Sequence, residues 1–497
     1  MSPSPSPRPM TPGGDLWPGG TPALSPEDIR TRLATWQGLD LPTHGGHTMA
    51  YVYDSGLAEV DALGKQALAQ FSSANGLDPT AFPSLLVMEN DLIAWAGRLL
   101  HAPDGFAGSI TSGGTESILL AVLAARDGAP GIAEPSLILP TTAHAAFHKA
   151  AHYFGVRPVV VDVDQATYRA DPAAMAAAID ASTVLVVASA PSYAHGVIDP
   201  VPEIAAAASA AGVRCHVDAC IGGWVLPWLD TPWPWDFTVP GVTSMSVDLH
   251  KYAYAPKGVS ALLHRSAALR QPQLFACADW PGYTMLNATT QSTRSGGPLA
   301  GAWAVTHAIG DQGYADLAAA AYEATRTLAQ GIAAIPGLRL VAEPDSTLVC
   351  LTCDDPGIDV FTVADEMAVR GWYVQPQLSF RDMPATLHLT LSPAVAGAVP
   401  EFLAALAQAV HSVRTLGPVQ VPAELVAVVD GLDPAAIDEA TLARLLASAG
   451  LAGSSGSVNL PERMAPVNAL LDRVGPAVRE ALLVGVLDLL SRPATVA

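Results

Sequence analysis

Apolar residues recur with helical spacing from about residue 26 to residue 105. The stretches PEDIRTRLATWQ, LAEVDALGKQALAQFSSAN and SLLVMENDLIAWAGRLL place them three and four positions apart, which is typical of helices. We therefore predict an N-terminal helical segment over residues 26–105. The preceding residues 1–25 are rich in Pro, Ser and Gly and lack the apolar run of a signal peptide, so they predict a disordered arm.

The pattern changes at residue 106. The short β-rich runs SLILP, RPVVVDV, TVLVVASA, VRCHVDA, SMSVD and VSALLH alternate with Ala-rich helical stretches up to about residue 310. This alternation predicts an α/β large domain with a mostly parallel sheet covered by helices. Residues 311–415 mix helices with the runs LRLVAE, STLVCLT and ATLHLTLS, which predicts a smaller α+β domain. Residues 416–497 show helical patterns around the Gly/Ser-rich SAGLAGSSGSVN, and we expect a loosely attached helical tail.

Composition excludes several classes of function. Half of the 497 residues are hydrophobic and 14% are charged, but no uninterrupted apolar run of about 18 residues occurs. We therefore expect a soluble protein with no transmembrane segment. The formal charge of −21 leaves no basic stripe for a nucleic acid or an anionic membrane. With nucleic acids and anionic membranes excluded as partners, we expect the protein to act on a small-molecule substrate.

Cysteine usage bears on the compartment and on metal binding. Five cysteines in 497 residues are sparse and odd in number, which favours a reducing compartment, the cytoplasm by default. Cys350 and Cys353 form a C-x-x-C pair without a second pair, inside the strand-like STLVCLTC. Two cysteines that fill a strand explain this pattern better than ligands do, so we expect no metal.

One candidate anion site follows a predicted strand. In ITSGGTESILLAVL the residues Ser112, Gly113, Gly114 and Thr115 lead directly into a long Ala/Leu-rich helix. The glycines allow a ligand to approach the backbone, and the free N–H groups at a helix start suit a phosphate. An ordinary helix cap would use the same residue types, and the residues alone leave both interpretations open.

Two charged residues follow later strands. Asp218 closes the run VRCHVD, at the end of a strand where open α/β sheets bind ligands. It could cap the next helix or pair with a protonated ring nitrogen. Lys251 follows SMSVD and precedes an apolar and aromatic run, where burial would lower the pKa of its amine toward the nucleophilic range. A solvated surface lysine is the alternative.

These three features occur in a chain order that fits one cofactor. Pyridoxal 5′-phosphate needs an anchor for its phosphate, an acid beside its pyridinium nitrogen and a lysine that forms a Schiff base with its aldehyde. A phosphate seat, a carboxylate and a lysine at successive strand ends supply all three. The residues therefore predict a pyridoxal-phosphate site.

Longer motifs support the same interpretation. They are FPSLLVMEND, TSGGTESIL, TAHAAFHKAAHYFGV, HGVIDPVPEIA, HVDACIGGW, GVTSMSVDLHKYAYAPKG, TRSGGPLAGAWA and MAVRGW. On these motifs the sequence resembles the group II decarboxylase superfamily of pyridoxal-phosphate enzymes, and within it the sphingosine-1-phosphate lyases, over about residues 50–410. The resemblance implies a fold-type I architecture and a homodimer with its two active sites between the subunits.

The resemblance also implies roles for individual residues. Lys251 would be the Schiff-base lysine, Asp218 the partner of the pyridinium nitrogen, and His144 the residue stacked on the cofactor ring. The full implied cofactor-binding set is Gly113, Gly114, Thr115, His144, Asp218, His250 and Lys251. Catalysis would rest on Lys251, Asp218 and His144.

The implied reaction is a retro-aldol cleavage of a phosphorylated β-hydroxy amine, such as a sphingoid base 1-phosphate, to an aldehyde and a small amine. The same apparatus would support an amino-acid decarboxylase if a carboxylate were held perpendicular to the cofactor ring. A non-catalytic cofactor-binding protein is the third hypothesis. Lys257, His144 or a substrate phosphate oxygen could each take the hydroxyl proton.

One position departs from the lyase pattern. Tyr53, Asn75, Lys257 and Arg294 match the residues that the lyases direct toward the substrate phosphate. Asp78, in SANGLDPTAFPS, stands where the pattern has a histidine. Because a carboxylate repels a phosphate, the resemblance implies a weakened phosphate site.

Overall fold

Three helices lead into the first strand in the computed structural model, which describes residues 23–283, 285–448, 451 and 461–492. They are α1 (Pro26–Gln37), α2 (Ala58–Gln70) and α3 (Pro83–Leu99). Proline stands in the first turn of α1 and α3, where its missing N–H costs no helical hydrogen bond. All three helices form where the spacing predicted them. Residues 1–22 of the predicted disordered arm lie outside the described residues.

A seven-stranded sheet occupies the middle of the chain. Its strands are β1 (Ala107–Thr111), β2 (Ser136–Pro140), β3 (Arg157–Val161), β4 (Thr183–Ser189), β5 (Arg214–Asp218), β6 (Ser244–Val247) and β7 (Ser260–His264). They are arranged in the order β1-β7-β6-β5-β4-β2-β3, and only β7 runs antiparallel to its neighbours within this sheet. The helices around it are α4 (Gly114–Asp127), α5 (Ala146–Phe154), α6 (Pro172–Ala177), α7 (Val201–Ala210) and α8 (Ala267–Arg270). The prediction of an α/β fold with a mostly parallel sheet is confirmed.

The register of the central strands positions the site. Ser189 at the end of β4 pairs with Asp218 at the end of β5, and Asp218 pairs with Ser246 on β6. Since these strands are parallel, their carboxyl ends meet at one edge of the sheet. Strands β2, β4 and β6 are buried along their whole length, as expected of strands covered by helices on both faces.

A long helix connects the large sheet to a smaller one. After the short hairpin of β8 (Phe275–Cys277) and β9 (Met285–Asn287), helix α9 (Gly296–Ala333) bends at Gly310, whose φ of 67° is left-handed. The small sheet then contains β10 (Leu338–Leu340), β11 (Leu348–Cys353), β12 (Gln375–Gln377) and β13 (Thr386–Thr390), all antiparallel in the order β10-β11-β13-β12. Helices α10 (Val360–Val369) and α11 (Val399–Leu416) complete this unit.

The last helix of the small unit is unusually apolar. Together with the preceding 3₁₀ turn it forms the stretch Pro393–Leu416, with a mean hydropathy of 1.4. Within the described part of the chain, this is the one helical stretch long and apolar enough to cross a membrane. Its buried side, including Phe402, Leu406 and Val410, packs into the core of the small unit.

The tail is helical and contacts the small unit. Its described helices are α12 (Ala423–Asp430), α13 (Glu439–Ser448), α14 (Ala465–Arg473) and α15 (Pro476–Leu490). At the start of α14, the Asp365 carboxylate accepts hydrogen bonds from the backbone N–H groups of Met464 and Ala465, at 2.9 and 3.0 Å. At its end, Asp472 accepts from the N–H and hydroxyl of Ser379, at 2.6 and 2.8 Å. These contacts attach α14 to helix α10 and to the segment that follows β12.

Candidate active site

A cavity of about 390 Å³ opens at the carboxyl ends of the central strands. Its wall is built from the start of α4 and from the segments that follow β4, β5 and β6. The lining residues are Ser112, Gly113, Gly114, Thr115, Glu116, Ile118, His144, Ser189, Pro191, Tyr193, Asp218, Cys220, Ile221, Asp248, His250 and Lys251. The structure therefore brings together all seven residues of the predicted cofactor-binding set.

The glycine-rich turn forms one end of the cavity. Helix α4 begins at Gly114, directly after β1, and its first N–H groups have no acceptor within the helix. A Cβ atom on Gly114 would lie 2.8 Å from the Asp248 Oδ2 atom and 2.8 Å from the Cys220 Sγ atom, so a larger residue cannot fit. Gly113, Gly114 and Thr115 line the cavity at this helix start, where the free backbone N–H groups and the positive end of the helix dipole lie. This geometry suits a phosphate.

Asp218 projects from the end of β5 into the middle of the cavity wall. Its side chain is buried, and its Oδ1 atom accepts hydrogen bonds from the Cys220 N–H at 3.1 Å and the Ser246 hydroxyl at 3.3 Å. These donors fix the carboxylate at the sheet edge. A buried carboxylate held this way can pair with a protonated ring nitrogen.

Lys251 follows β6 and forms an ion pair inside the cavity. Its Nζ atom lies 3.0 Å from the Asp248 Oδ2 atom, and the Asp248 side chain is only 3% exposed. Burial is the largest single influence and lowers the pKa of the Lys251 amine, but the acidic neighbours, Asp248 first among them, together raise it further, so the pKa lies well above its ordinary value. The expectation that burial would leave Lys251 with a lowered pKa is therefore wrong. The acidic neighbours, with Asp248 as the largest contributor, decide the direction of the shift.

His250 borders both the glycine turn and the ion pair. Its Cε1 atom would lie 3.6 Å from a Cβ atom on Gly113, and its Nε2 atom is 3.7 Å from the Asp248 Oδ2 atom. Burial is the main cause that lowers the pKa of His250. Its Nδ1 atom accepts a hydrogen bond from the Val259 N–H at 3.3 Å, which leaves Nε2 directed toward the cavity side.

His144 lies at the mouth of the cavity. The ring is exposed, and its Nδ1 atom accepts a hydrogen bond from the Ala146 N–H at 3.1 Å, just before α5. This bond fixes the ring orientation through a local turn. An exposed ring face above the cavity is available for stacking on a planar ligand.

Two of the predicted substrate residues adjoin the cavity without lining it. The Lys257 Nζ atom lies 4.9 Å from the centre of the Tyr53 ring and donates a hydrogen bond to the His250 carbonyl at 3.1 Å. Burial, followed by the charge of Lys251, lowers the pKa of Lys257 to about 8. Lys257 is therefore a weaker base than an ordinary lysine, with a pKa of about 8.

The other three predicted substrate residues lie elsewhere within the chain. Arg294 forms an ion pair with Glu89 and also donates to the Ile110 carbonyl, so its guanidinium is already engaged. Asn75 accepts from the Leu77 N–H at 3.1 Å. These two residues do not reach the cavity of their own chain, and their role toward the substrate stays a prediction.

Asp78 lies in an exposed turn before α3. Its carboxylate accepts hydrogen bonds from the Thr80 N–H at 2.8 Å and the Thr80 hydroxyl at 2.7 Å. The Thr80 side-chain bond is the largest cause that lowers the pKa of Asp78. Within one chain the carboxylate therefore stabilises its own turn and does not face the cavity.

Several lining residues were missed by the sequence analysis. The sequence could have indicated Asp248, because it closes the β-rich run SMSVD only three residues before Lys251. Tyr193 had none: its position depends on Gln375, to which its hydroxyl donates at 2.6 Å, and on the His388 ring stacked at 4.2 Å. Glu116 accepts from the Ser112 N–H at 2.6 Å, a contact across one helical turn.

The assembled groups fit pyridoxal phosphate. The cavity offers the glycine-rich start of α4 as an anion seat, a buried carboxylate at Asp218 and a primary amine at Lys251. Among the described residues, no group of three or more His, Cys, Asp or Glu side chains is placed to hold a metal ion. The donor set matches a phosphorylated aldehyde with a basic ring nitrogen.

Comparisons with known proteins agree with this geometry. The family model of the pyridoxal-dependent decarboxylase conserved domain matches residues 41–353, and a second model, named for a C-terminal HTH domain of pyridoxal-dependent enzymes, matches residues 423–489. Sphingosine-1-phosphate lyase of Dictyostelium discoideum is 38% identical over 70% of this chain and 66% of its own length. The corresponding protein of Oryza sativa subsp. japonica is 36% identical over 78% of this chain and 72% of its own.

Solved structures are similar as well. The sphingosine-1-phosphate lyase of Burkholderia pseudomallei superposes with a TM-score of 0.76 at 35% identity, over 80% of this chain and 93% of that one. Glutamate decarboxylase of Lactobacillus brevis superposes with a TM-score of 0.73 at 20% identity, over 81% and 96%, which shows the fold alone. The chain spans about two thirds of the length of the first curated relatives that it matches.

Proposed function

The chain belongs to the pyridoxal-dependent decarboxylase family, as a sphingosine-1-phosphate lyase-like member, and from this we propose that it is a carbon–carbon lyase. Its substrate would be a phosphorylated β-hydroxy amine such as a sphingoid base 1-phosphate. The products would be an aldehyde and a small phosphorylated amine. The observation that carries this proposal is the 35% identity to a solved lyase over 93% of its length, together with an assembled cofactor site.

Bound in this cavity, pyridoxal phosphate would supply a ring that accepts the electron pair of a broken bond to carbon. Gly114 and Thr115 would bind the phosphate through the start of α4, with His250 beside them. Asp218 would keep the ring nitrogen protonated, and Lys251 would hold the aldehyde carbon. His144 would cover one face of the ring and exclude water from it.

The reaction outcome depends on which substrate bond stands perpendicular to the ring. The wall that sets this orientation includes Tyr193, which the small domain holds through Gln375. If the Cα–Cβ bond is so placed, removal of the hydroxyl proton cleaves it; if a carboxylate is so placed, carbon dioxide leaves. Lys257 has a pKa of about 8 and is suited to accept the hydroxyl proton, with His144 and a substrate phosphate oxygen as the other candidate bases.

A homodimer with shared active sites is part of the proposal. The residues that match the lyase phosphate site, Asn75, Asp78 and Arg294, do not line the cavity of their own chain. A partner subunit could bring them to the other cavity, as the family resemblance implies. The β8–β9 hairpin and its connection also expose Phe275, with 57% of its surface, and Tyr283, with 54%, which supports an interface there. Light scattering coupled to size exclusion would test the dimer.

A product assay tests the reaction. Purified holoenzyme would be incubated with sphingosine 1-phosphate, sphingosine and a panel of amino acids, while aldehyde and carbon dioxide are measured in parallel. We expect aldehyde from the phosphorylated β-hydroxy amine and no carbon dioxide from any substrate. Carbon dioxide from an amino acid without aldehyde would make the protein a decarboxylase. A protein that binds the cofactor but releases neither product would be non-catalytic toward this panel.

A further inference from the structure

Asp248 holds the amine of Lys251 inside the cavity, with 3.0 Å between Oδ2 and Nζ. We propose that this ion pair controls capture of the cofactor: Asp248 keeps Lys251 as an ammonium beside the phosphate seat, and Lys251 links to pyridoxal phosphate only after the pair has lost a proton. Asp248 is then a positioning residue for cofactor loading. The proposal goes beyond the proposed lyase function, because it holds whatever substrate the enzyme cleaves.

The pair is fixed from both sides and shielded from solvent. The Ser260 hydroxyl donates to the Asp248 Oδ1 atom at 2.6 Å, while Oδ2 faces Lys251 at 3.0 Å and His250 at 3.7 Å. Only 3% of the Asp248 side chain and 19% of the Lys251 side chain are exposed. A carboxylate bound in this way cannot turn toward water, and salt screens the pair less than an exposed one.

The same carboxylate adjoins the anion seat. A Cβ atom on Gly114 would lie 2.8 Å from the Asp248 Oδ2 atom and 2.9 Å from Oδ1, so the carboxylate packs against the first residue of α4. A bare Asp248 charge at this place would repel an incoming phosphate. The ammonium of Lys251 neutralises it, which keeps the seat open to an anion but leaves the amine without a free lone pair.

Capture requires that lone pair. The ammonium of Lys251 first loses one proton to a base in solution. The neutral amine then attacks the aldehyde carbon of pyridoxal phosphate, a carbon–nitrogen double bond forms, and the aldehyde oxygen leaves as water with the two remaining amine protons. No oxidant or reductant takes part. Below the pKa of Lys251, the neutral fraction, and with it the capture rate, falls about tenfold for each pH unit.

Other titratable groups face the pair and must be held constant in a test. They are Tyr53, Asp218, Cys220, His250 and Lys257. Burial raises the pKa of Tyr53 and of Cys220 and is the main cause that lowers that of His250, so each of the three stays neutral over a wider pH range than the free side chain does. Lys257 changes charge near pH 8, so the measurements are made in a Lys257→Arg background, where that charge is constant.

The first test measures cofactor capture directly. Apoprotein is mixed with pyridoxal phosphate over a series of pH values, and the visible absorbance of protein-linked cofactor is followed in time. In Asp248→Asn we expect the pH at half-maximal capture rate to fall by about one unit or more, with capture about tenfold faster at a fixed pH on the rising limb. Asp248→Glu keeps the negative charge, so its pH at half-maximal capture rate should lie closer to that of the parent protein.

The matched control is Asp236→Asn. Asp236 is another buried carboxylate, which contacts His101 and Thr238 and does not line the cavity. In this control variant the pH at half-maximal capture rate should equal that of the parent protein. Three results would overturn the proposal: an unchanged pH dependence of capture in Asp248→Asn, slower capture at every pH, or an equal shift in Asp236→Asn.

A second measurement needs no substitution at Asp248. The chain has four lysines, Lys65, Lys149, Lys251 and Lys257. Reductive methylation of the apoprotein with ¹³C-formaldehyde gives each a separate NMR signal, and Lys251→Ala identifies the one of interest. We expect the Lys251 signal to titrate at higher pH than those of Lys65 and Lys149. Titration at or below their pH would overturn the proposal, and neither result depends on whether the enzyme proves to be a lyase.

Discussion

The hydroxyl of Tyr193 donates a 2.6 Å hydrogen bond to the side-chain oxygen of Gln375, which lies 182 residues later in the chain. Tyr193 is on the cavity wall after β4, and Gln375 begins β12 of the small sheet. The Tyr193 ring also stacks on His388 of β13 at 4.2 Å. The small domain therefore sets the position of one wall of a cavity that the large domain otherwise builds.

Removal of this bond should loosen the wall. In Tyr193→Phe the Gln375 oxygen loses its donor, at a cost of about 0.5–1.5 kcal/mol, and we expect KM to rise about two- to tenfold. Steady-state kinetics with sphingosine 1-phosphate would measure it. Gln375→Leu should act in the same direction, and the double variant should be no worse than either single one. Fully additive effects would show that the two side chains act independently.

Lys251→Ala should abolish the covalent link to the cofactor and reduce turnover to the assay background, while the fold is retained. The visible absorbance that remains with the protein after gel filtration would measure the link. Lys65→Ala is the control, because Lys65 is an exposed lysine paired only with Asp61 across one turn of α2. Turnover with a retained visible band in Lys251→Ala would refute the assignment.

Asp218→Ala should keep bound cofactor but lose activity. An uncharged ring nitrogen withdraws electrons poorly, so we expect kcat to fall about 10²- to 10³-fold. Stopped-flow or steady-state rates on holoenzyme would measure the loss. The control Asp236→Asn removes another buried carboxylate, one that contacts His101 and Thr238 instead of the cavity. Equal activity of the Asp218 variant and the control would mean that β5 does not supply the ring partner.

The lowered pKa of Lys257 leads us to expect that kcat depends on pH. Its pKa of about 8 lies below the ordinary value of 10.5, so the amine is charged below pH 8 and becomes a base above it. If Lys257 accepts the hydroxyl proton, kcat should rise through about pH 8 and level off above. Lys257→Arg, which stays charged, should lose this rising limb and about 10²-fold or more in kcat. If kcat of Lys257→Arg still rises through pH 8, then His144 or the substrate phosphate is the better candidate for the base.

Asp78 tests the phosphate site together with the dimer. In an assembly that brings this exposed turn near a neighbouring cavity, Asp78→His should raise kcat/KM for sphingosine 1-phosphate about two- to fivefold and leave sphingosine unaffected. The gain should shrink at high salt, because the charge is exposed. Asp104→His, in the exposed loop before β1, is the matched control. A gain on neither compound would remove Asp78 from the phosphate site.

Local patterns along the chain were sufficient for the fold class and for the cofactor. Six β-rich runs between residues 136 and 264 became β2 to β7, because the alternation of apolar strands and Ala-rich helices admits few arrangements other than a covered parallel sheet. Parallel strands place their carboxyl ends at one edge. The glycine turn, Asp218 and Lys251 therefore had to meet there, because the sequence placed each of them at the end of a strand or within a few residues of it.

Tertiary packing decided what no local pattern contains. The charge state of Lys251 depends on the orientation of Asp248, which Ser260 holds from the next strand, β7. The guanidinium of Arg294 is bound in an ion pair with Glu89, which lies 205 residues earlier in the chain. Electrostatic and hydrogen-bond energies vary with distances of a few ångströms between groups far apart in sequence, and only the folded chain sets those distances. Residue type and spacing therefore determined which groups form the site, and the tertiary structure determined which of them are free to act.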